Sequence, residues 1–199
     1  DFQVNDISIN SKEVKNNFIF GAIKGKNFNG ENFIEEFLHL KNVAVILSNK
    51  SSFKLKSKKY QNVTIIKVEN VRLFIAIISS IIFSNRINQK LAVTGTNGKT
   101  SIASYVYQIW QIQKVNSASI GTLGLKYIKK YNLKSNLTTP ESISNHKLLH
   151  HLDKLGCKKV IFEASSIGID QKRLYPIKFN VVAFTNLSID HMDYHKTMI

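Results

Sequence analysis

A glycine-containing turn between a short apolar strand and a helix is the feature that most constrains this fold. Residues 91–94 (Leu-Ala-Val-Thr) read as a buried strand, and residues 95–100 (Gly-Thr-Asn-Gly-Lys-Thr) lead into a segment with helical apolar periodicity. In such a turn, backbone N–H groups converge on phosphate oxygens at the positive end of the helix. Lys99 can reach the terminal phosphates, and Thr100 can hold Mg²⁺. This order of elements predicts a nucleotide site on an α/β sheet.

Residues 95–100, which we call the phosphate loop, are a variant of the general pattern. That pattern has a glycine five positions before Gly98, but this chain has Val93 there, and Gly95 stands two places later. Because Gly-Lys-Thr occurs in turns by chance, the strand before it and the helix after it carry the prediction.

Periodicity and turn signals divide the chain into two α/β units, which we place at residues 1–88 and 89–199. The first is small, and the second alternates strands and helices, as a mostly parallel, doubly wound sheet does. Residues 160–162 and 181–184 read as central parallel strands. The other predicted strands are 18–23, 43–47, 63–68 and 91–94, and the predicted helices lie at 33–38, after Asn70, from Thr100 and at 141–155.

Two predicted helices of the second unit have apolar stripes that would face a sheet. The first stripe contains Ile102, Val106, Ile109 and Gln113, and the second contains Leu148, Leu149, Leu152 and Leu155.

The net charge of +15 raises nucleic acid as a partner. The basic residues are almost all lysines spread along the chain, and the densest cluster, 54–59, has only Phe53 and Tyr60 at its edges for stacking. This distribution favours a general residue bias, so we expect no nucleic-acid partner, although a basic binding module stays an alternative.

The longest apolar stretch, residues 73–83, is much shorter than the ~20 residues that cross a bilayer, so we expect no membrane insertion. The single cysteine, Cys157, cannot form a disulfide within the chain, and no signal peptide is evident, so we expect a cytoplasmic protein. Because the chain starts at Asp1 and stops at Ile199 after a histidine-rich stretch, we expect both ends to be cut. We also expect a monomer.

Polar residues follow two predicted strands of the second unit. Glu163 ends the strand at 160–162, and Asn186, Asp190 and His191 follow the strand at 181–184. The ligand crevice of an open α/β sheet lies beyond the carboxyl ends of its strands, so these residues and the phosphate loop should converge. A carboxylate and an imidazole there could complete Mg²⁺ coordination.

The same region permits a different interpretation. His191 and His195 stand four residues apart among carboxylates, a spacing that could belong to a zinc hydrolase. Nearby, Thr139 can be read as a helix N-cap before Pro140 and Glu141. The sequence gives little support to Ser165 as a nucleophile, because no histidine and acid stand at the spacing that a catalytic serine needs.

Taken together, these segments resemble the Mur ligases, and within them the UDP-N-acetylmuramoyl-tripeptide synthetases (MurE type). The resemblance spans nearly the whole chain and depends on many motifs in a fixed order. They are Asn10-Ser11-Lys12, residues 18–25, 29–33 and 94–100, Leu137-Thr138-Thr139-Pro140-Glu141, Glu163-Ala164-Ser165-Ser166, Gln171-Lys172-Arg173 and residues 185–195.

The resemblance implies roles for individual residues. ATP would be held by Gly95, Thr96, Asn97, Gly98, Lys99, Thr100, Ser101 and Asn186, and Mg²⁺ by Thr100, Glu163 and His191. Lys99, Glu163 and His191 would take part in catalysis. UDP-N-acetylmuramoyl-L-alanyl-D-glutamate would be held by Ser11, Lys26, Asn27 and Phe28 at its uridine end and by Thr138, Thr139, Ser165, Gln171 and Arg173 at its dipeptide. Arg173 suits this role because a guanidinium can bind a carboxylate or a phosphate through two parallel hydrogen bonds. Two positions depart from the family: Ile167 replaces a usual histidine, and Lys196 a usual glycine.

The implied reaction transfers the ATP γ-phosphoryl group to the D-glutamate carboxylate, giving an acyl phosphate that an incoming amine attacks. It needs positioning and charge stabilisation but no protein nucleophile. The amino acid cannot be read from this sequence, and family frequency favours meso-diaminopimelate over L-lysine. The family's carbamylated lysine and its C-terminal domain would lie past Ile199, so we expect this chain alone to be inactive.

Overall fold

The structure, a computed structural model, describes residues 3–25, 28–54, 63–127, 131–133 and 137–197, with only the backbone at 131–133. The chain divides into two compact units, Asp1–Ile82 and Phe83–Ile199. The sequence placed this boundary a few residues later. Residues 83–88 belong with the second unit because the Phe83 ring meets His150 at 6.2 Å between centroids and Ile87 is buried in that unit's core.

The first unit contains a four-stranded parallel sheet whose strands lie in chain order. Its core packs Phe20 edge-on against Phe37, with ring centroids 4.8 Å apart. The segment predicted as a helix at 33–38 is an eight-residue 3₁₀ helix, Gly30–Phe37. The strands are β1 (Asp6–Ser8), β2 (Phe18–Gly21), β3 (Val43–Ser48) and β4 (Val63–Val68), the helix is α1 (Val71–Ile82), and a further 3₁₀ helix is Ser11–Glu13.

The second unit contains a six-stranded sheet. Its strands lie side by side in the order β10 (Val181–Phe184), β5 (Gln89–Thr94), β9 (Lys159–Glu163), β6 (Ser117–Gly121), β7 (Gly124–Tyr127) and β8 (Tyr131–Leu133). Its first four strands are parallel, and β7 and β8 add antiparallel pairs, so the predicted mostly parallel α/β fold is confirmed. The helices are α2 (Lys99–Ile112), α3 (Ser142–Lys154), α4 (Ser166–Asp170) and α5 (Met192–His195).

Strand β10 corrects one prediction. Its β-branched run indicated a central strand, but in the described sheet it lies at an edge, with Val182 and Phe184 exposed by 62% and 64%. An apolar run alone cannot separate the two positions because strand order is set by distant pairings. The sequence also missed β6, whose letters Ser-Ala-Ser-Ile-Gly carry little apolar bulk although all five residues are buried.

The buried helix faces differ slightly from the predicted stripes. On α2, Ala103 and Trp110 are buried, whereas Ile109 is 51% exposed. On α3, Leu149 and Leu152 are fully buried, but Leu155 is the C-cap and is 41% exposed. Among the described helices, none is long and apolar enough to cross a membrane.

Candidate functional site

The phosphate loop leaves the carboxyl end of β5 and closes in a tight turn at the start of α2. Val93 is fully buried and still belongs to β5, so the turn begins two residues later than in the general pattern. Gly95 has a φ of 132° and Gly98, the N-cap of α2, has a φ of 86°. Both values favour glycine because a side chain would be strained there. The first glycine of the loop is therefore Gly95 because β5 continues through Thr94.

Residues 185–188, which we call the strap, follow β10 and hold the phosphate loop through hydrogen bonds. Asn186 accepts the Asn97 N–H through Oδ1 at 3.0 Å and the Thr96 N–H through its carbonyl at 2.9 Å. The Thr185 hydroxyl donates to the Asn97 carbonyl at 2.7 Å. A Cβ on Gly95 would collide with the Thr185 hydroxyl. The sequence assigned Asn186 to ATP, and in this structure its amide supports the loop.

Lys99 lies folded over the phosphate loop. Its Nζ donates to the carbonyls of Gly95 and Thr96 at 2.6 and 2.8 Å. The ammonium is thus at the loop, where a phosphate would have to displace it from these carbonyls. Lys99 lines a cavity of about 350 Å³ together with other residues of the loop, the strap and the segments after β9 and β10, including Ser165, Ser166, His191 and His195.

Glu163 is the centre of a second cluster beside the loop. Its Oε2 accepts the hydroxyls of Thr100 at 2.7 Å and Thr122 at 2.9 Å, and its Oε1 accepts the Thr122 N–H at 3.1 Å. Glu163 is only 3% exposed, and the partners of its carboxylate within the described chain are all neutral. A buried anion without a cation is costly. A carboxylate and two hydroxyls are the hard oxygen donors that Mg²⁺ prefers, so these residues fit that ion.

The three residues predicted to hold Mg²⁺ divide between these two places. Thr100 and Glu163 are in direct contact, whereas His191 lines the cavity beside Lys99. The His191 imidazole lies 3.7 Å from Asp190 and is 49% exposed, so it can turn toward a ligand in the cavity.

The zinc alternative finds no support. His195 Nε2 meets the Ser166 hydroxyl at 2.9 Å. Among the described residues, no group of three or more His, Cys, Asp or Glu side chains could hold a metal ion.

Thr139 does not cap the following helix, contrary to the sequence interpretation. The N-cap of α3 is Glu141, and Thr139 is fully buried instead. Its hydroxyl donates to the Glu163 carbonyl at 2.8 Å and accepts the Ser165 N–H at 2.9 Å. Ser165 in turn caps α4 by accepting the Gly168 N–H at 3.1 Å. Thr139 is thereby committed to the backbone just after β9, where polar groups would otherwise lie buried without partners.

Arg173 is buried and engaged with the chain itself. Its Nη2 donates to Gln171 Oε1 at 2.7 Å and lies 3.2 Å from a Glu141 carboxylate oxygen, and its Nη1 donates to the Thr139 carbonyl at 2.9 Å. These contacts with Thr139, Gln171 and Glu141 hold the guanidinium in place. Its contact with a substrate stays a prediction.

The other predicted binding residues are more scattered. Thr138 lies with its hydroxyl oxygen 3.1 Å from that of Thr122, and Ser101 is exposed on the first turn of α2. In the first unit, Ser11 starts a 3₁₀ helix and Phe28 is 73% exposed. Lys26 and Asn27 lie outside the described residues.

Two residues of the site were missed by sequence reasoning. Thr122 binds Glu163, and Tyr194 accepts from Gln171 Nε2 at 3.2 Å while donating to Asp170 at 2.6 Å. The signal for Thr122 was its position directly after β6, but the sequence had not predicted that strand.

Comparison with known proteins defines the family. Residues 93–199, more than half of the chain, match the Mur ligase middle domain. The chain belongs to the Mur ligase family. A UDP-N-acetylmuramoyl-L-alanyl-D-glutamate–2,6-diaminopimelate ligase of Rickettsia rickettsii is 41% identical over 197 residues, which cover 98% of this chain and 40% of that protein. The ligase of the same name from Aquifex aeolicus is 40% identical over 199 residues, covering 98% and 39%.

Solved structures agree with this Mur ligase assignment. A UDP-N-acetylmuramoyl-L-alanyl-D-glutamate–2,6-diaminopimelate ligase superposes with a TM-score of 0.78 at 28% identity, covering 98% of this chain and 38% of that one. The MurF ligase of Thermotoga maritima, solved in complex with ADP, shares the fold with a TM-score of 0.57 at 21% identity, covering 96% and 40%. The resemblance to MurE-type ligases is confirmed, and the chain spans about 40% of the length of the curated relatives.

Proposed function

We propose that this chain forms the ATP-binding and muramoyl-dipeptide-binding part of an ATP-dependent ligase of peptidoglycan synthesis. The ligase would join 2,6-diaminopimelate, in its meso form, to UDP-N-acetylmuramoyl-L-alanyl-D-glutamate in the bacterial cytoplasm. One observation carries the proposal: a phosphate loop stands beside a buried carboxylate, Glu163, whose described partners are all neutral. Relatives that bear this ligase name align with 98% of the chain.

In this proposal the ATP phosphates lie at the N-terminus of α2, where the N–H groups of the first turn are free of intrahelical partners. The residues that would hold the nucleotide are those of the phosphate loop with Ser101, and Asn186 would act by shaping the loop. Lys99 would leave the carbonyls of Gly95 and Thr96 for the terminal phosphates. Its ammonium would then offset the repulsion between the nucleotide and the acceptor carboxylate as they approach in line.

Thr100, Glu163 and His191 are the residues that would hold Mg²⁺. When bound, the ion would neutralise charge on the transferring phosphoryl group. The contribution of the chain is to keep the Glu163 carboxylate buried and turned toward Thr100. Because the acyl phosphate forms on the substrate itself, no side chain has to act as a nucleophile.

The two ends of the acceptor would be bound by different residues. Residues 1–88 would bind the uridine end through Ser11, Lys26, Asn27 and Phe28, and residues 89–199 would bind ATP and the dipeptide. Around the dipeptide, Thr138, Ser165, Gln171 and Arg173 would supply hydroxyl, amide and guanidinium groups. Thr139, whose hydroxyl is bound to the backbone after β9, would contribute by holding that segment in place. We further propose that the chain is monomeric and binds neither nucleic acid nor membranes.

The test is a calorimetric titration of UDP-N-acetylmuramoyl-L-alanyl-D-glutamate into the purified chain and its Arg173→Lys variant. Lysine keeps the positive charge but loses the guanidinium fork, so we expect binding to the unmodified chain and at least tenfold weaker binding to the variant. Lys172→Ala, which removes an exposed neighbouring cation, is the control and should leave binding unchanged. Absence of binding, or equal binding by all three proteins, would refute the substrate assignment. Ligation by the chain alone would contradict its expected inactivity.

A further inference from the structure

Gly121, the last residue of β6, and Thr122, the next residue, both lie against the Glu163 carboxylate. Thr122 binds both carboxylate oxygens, with its hydroxyl 2.9 Å from Oε2 and its N–H 3.1 Å from Oε1. Gly121 lies so close that a Cβ in its place would collide with Oε1. We call this pair the carboxylate cradle.

The cradle exists because β6 and β9 are parallel neighbours. Ile120 pairs with Phe162, so the next residue of each strand, Gly121 and Glu163, emerge side by side at the carboxyl edge of the sheet. A residue with a Cβ at 121 would push the Glu163 side chain away from this edge. With glycine there, the carboxylate packs against the end of β6 and accepts the Thr122 N–H.

The Thr122 hydroxyl lies among three groups to which the proposed function gives roles. It is 2.9 Å from Glu163 Oε2, 3.1 Å from the Thr138 hydroxyl oxygen and 3.5 Å from the Thr100 hydroxyl oxygen. Thr100 belongs to the phosphate loop, and Thr138 belongs to the segment proposed to bind the dipeptide. Thr122 is itself exposed, so its hydroxyl is not required to fill the core.

We propose that Thr122 is a positioning residue for the ligase reaction, an inference that rests on the proposed function. It holds the Glu163 carboxylate in the one orientation in which Oε2 faces the Thr100 hydroxyl. Without the Thr122 hydroxyl, the Thr122 N–H still binds Oε1, but Oε2 keeps only Thr100 as its partner, so the position of Oε2 is less restrained. A metal ion with its nucleotide then meets a less organised set of oxygen ligands, whereas the loop contacts with phosphate are unchanged.

The experiment measures the affinity of the chain for the non-hydrolysable ATP analogue AMP-PNP, once with saturating Mg²⁺ and once in EDTA. Thr122→Val keeps the shape of the side chain and removes the hydroxyl. We expect it to weaken binding about tenfold with Mg²⁺, since a hydrogen bond to a charged group is lost, and to leave binding in EDTA unchanged. Thr122→Ser restores the hydroxyl and should bind within about twofold of the unmodified chain.

A merely structural role would lower both affinities equally, and thermal unfolding of each variant checks that the fold persists. Glu163→Gln tests the underlying function and should lose most of the Mg²⁺-dependent affinity. If Glu163→Gln is weakened while Thr122→Val binds like the unmodified chain, the inference about Thr122 is overturned and the magnesium site stands. If the unmodified chain binds AMP-PNP equally with Mg²⁺ and in EDTA, the proposed magnesium site fails and the role of Thr122 fails with it.

Discussion

Asn186 holds Asn97 through both ends of its side-chain amide. Its Oδ1 accepts the Asn97 N–H at 3.0 Å, and its Nδ2 donates to the Asn97 carbonyl at 3.3 Å. The two residues are far apart in sequence, and their contact fixes the middle of the phosphate loop before any nucleotide arrives. A loop that is already shaped loses less conformational entropy when it binds phosphate.

The first prediction concerns this contact. Asn186→Ala removes both side-chain hydrogen bonds, so we expect AMP-PNP to bind about five- to tenfold more weakly because the loop must be ordered on binding. Asn88→Ala, at an exposed asparagine of the same unit, should leave the affinity unchanged. Fluorescence titration checks both variants, and equal affinities would show that the strap does not preorganise the loop.

The second prediction concerns Gly121. Gly121→Ala places a Cβ against the buried Glu163 side chain, and we expect the free energy of unfolding to fall by about 1–3 kcal/mol from overpacking. Denaturant unfolding followed by Trp110, the chain's single and buried tryptophan, reports on this unit. In a Glu163→Ala background the same change should cost much less, because the colliding atoms are gone. Additive costs would contradict the collision.

The third prediction concerns the pH dependence of stability. Burial lowers the pKa of His146 from its usual 6.5, although the bond of Nε2 to the Tyr175 carbonyl partly opposes this. Between the lowered pKa and 6.5, the unfolded chain binds a proton that the folded chain does not. His146 therefore leaves stability unaffected above about pH 6.5, and stability falls as the pH drops below it. Denaturant unfolding across this range should show the loss, and His146→Gln should flatten it.

The fourth prediction concerns Cys157. Burial raises the pKa of this thiol to about 11, and its Sγ donates to the Lys159 carbonyl at 3.3 Å. The reactive thiolate is therefore scarce near neutral pH. We expect iodoacetamide to modify the folded chain at least about a hundredfold more slowly than the denaturant-unfolded chain, because the thiol is both neutral and covered. Mass spectrometry over time checks this, and equal rates would contradict it.

The fifth prediction concerns Lys196, which directly follows α5. Its backbone has a φ of 67° and a ψ of −38°, a combination that strains a residue with a side chain. Lys196→Gly should raise the free energy of unfolding by about 1 kcal/mol. Lys178→Gly, at an exposed position without a positive φ, should lower it by a similar amount. A destabilising Lys196→Gly would count against backbone strain.

Local sequence patterns predicted the secondary structure correctly where all the interacting groups lie close together in the chain. The strand, turn and helix around residues 91–100 could be predicted because two glycine conformations and a helix N-terminus define them within a few residues. Strand β4 likewise matches its predicted range, and α2 begins one residue before the predicted start. The apolar periodicity was less exact, since it favoured Ile109 over Trp110 for the buried face.

The sequence by itself determined the α/β class, the phosphate loop, the candidate side chains and, through its ordered motifs, the ligase family. The tertiary structure alone decided which of those side chains meet. Thr139, predicted as a helix cap, instead binds the backbone at the end of β9. Strand β10, predicted as central, lies at the edge of the described sheet, and Thr122, which was not predicted, binds Glu163. The reason is physical: strand order and register bring together residues that local preferences cannot relate. The contact of Thr122 with Glu163 depends on β6 lying beside β9.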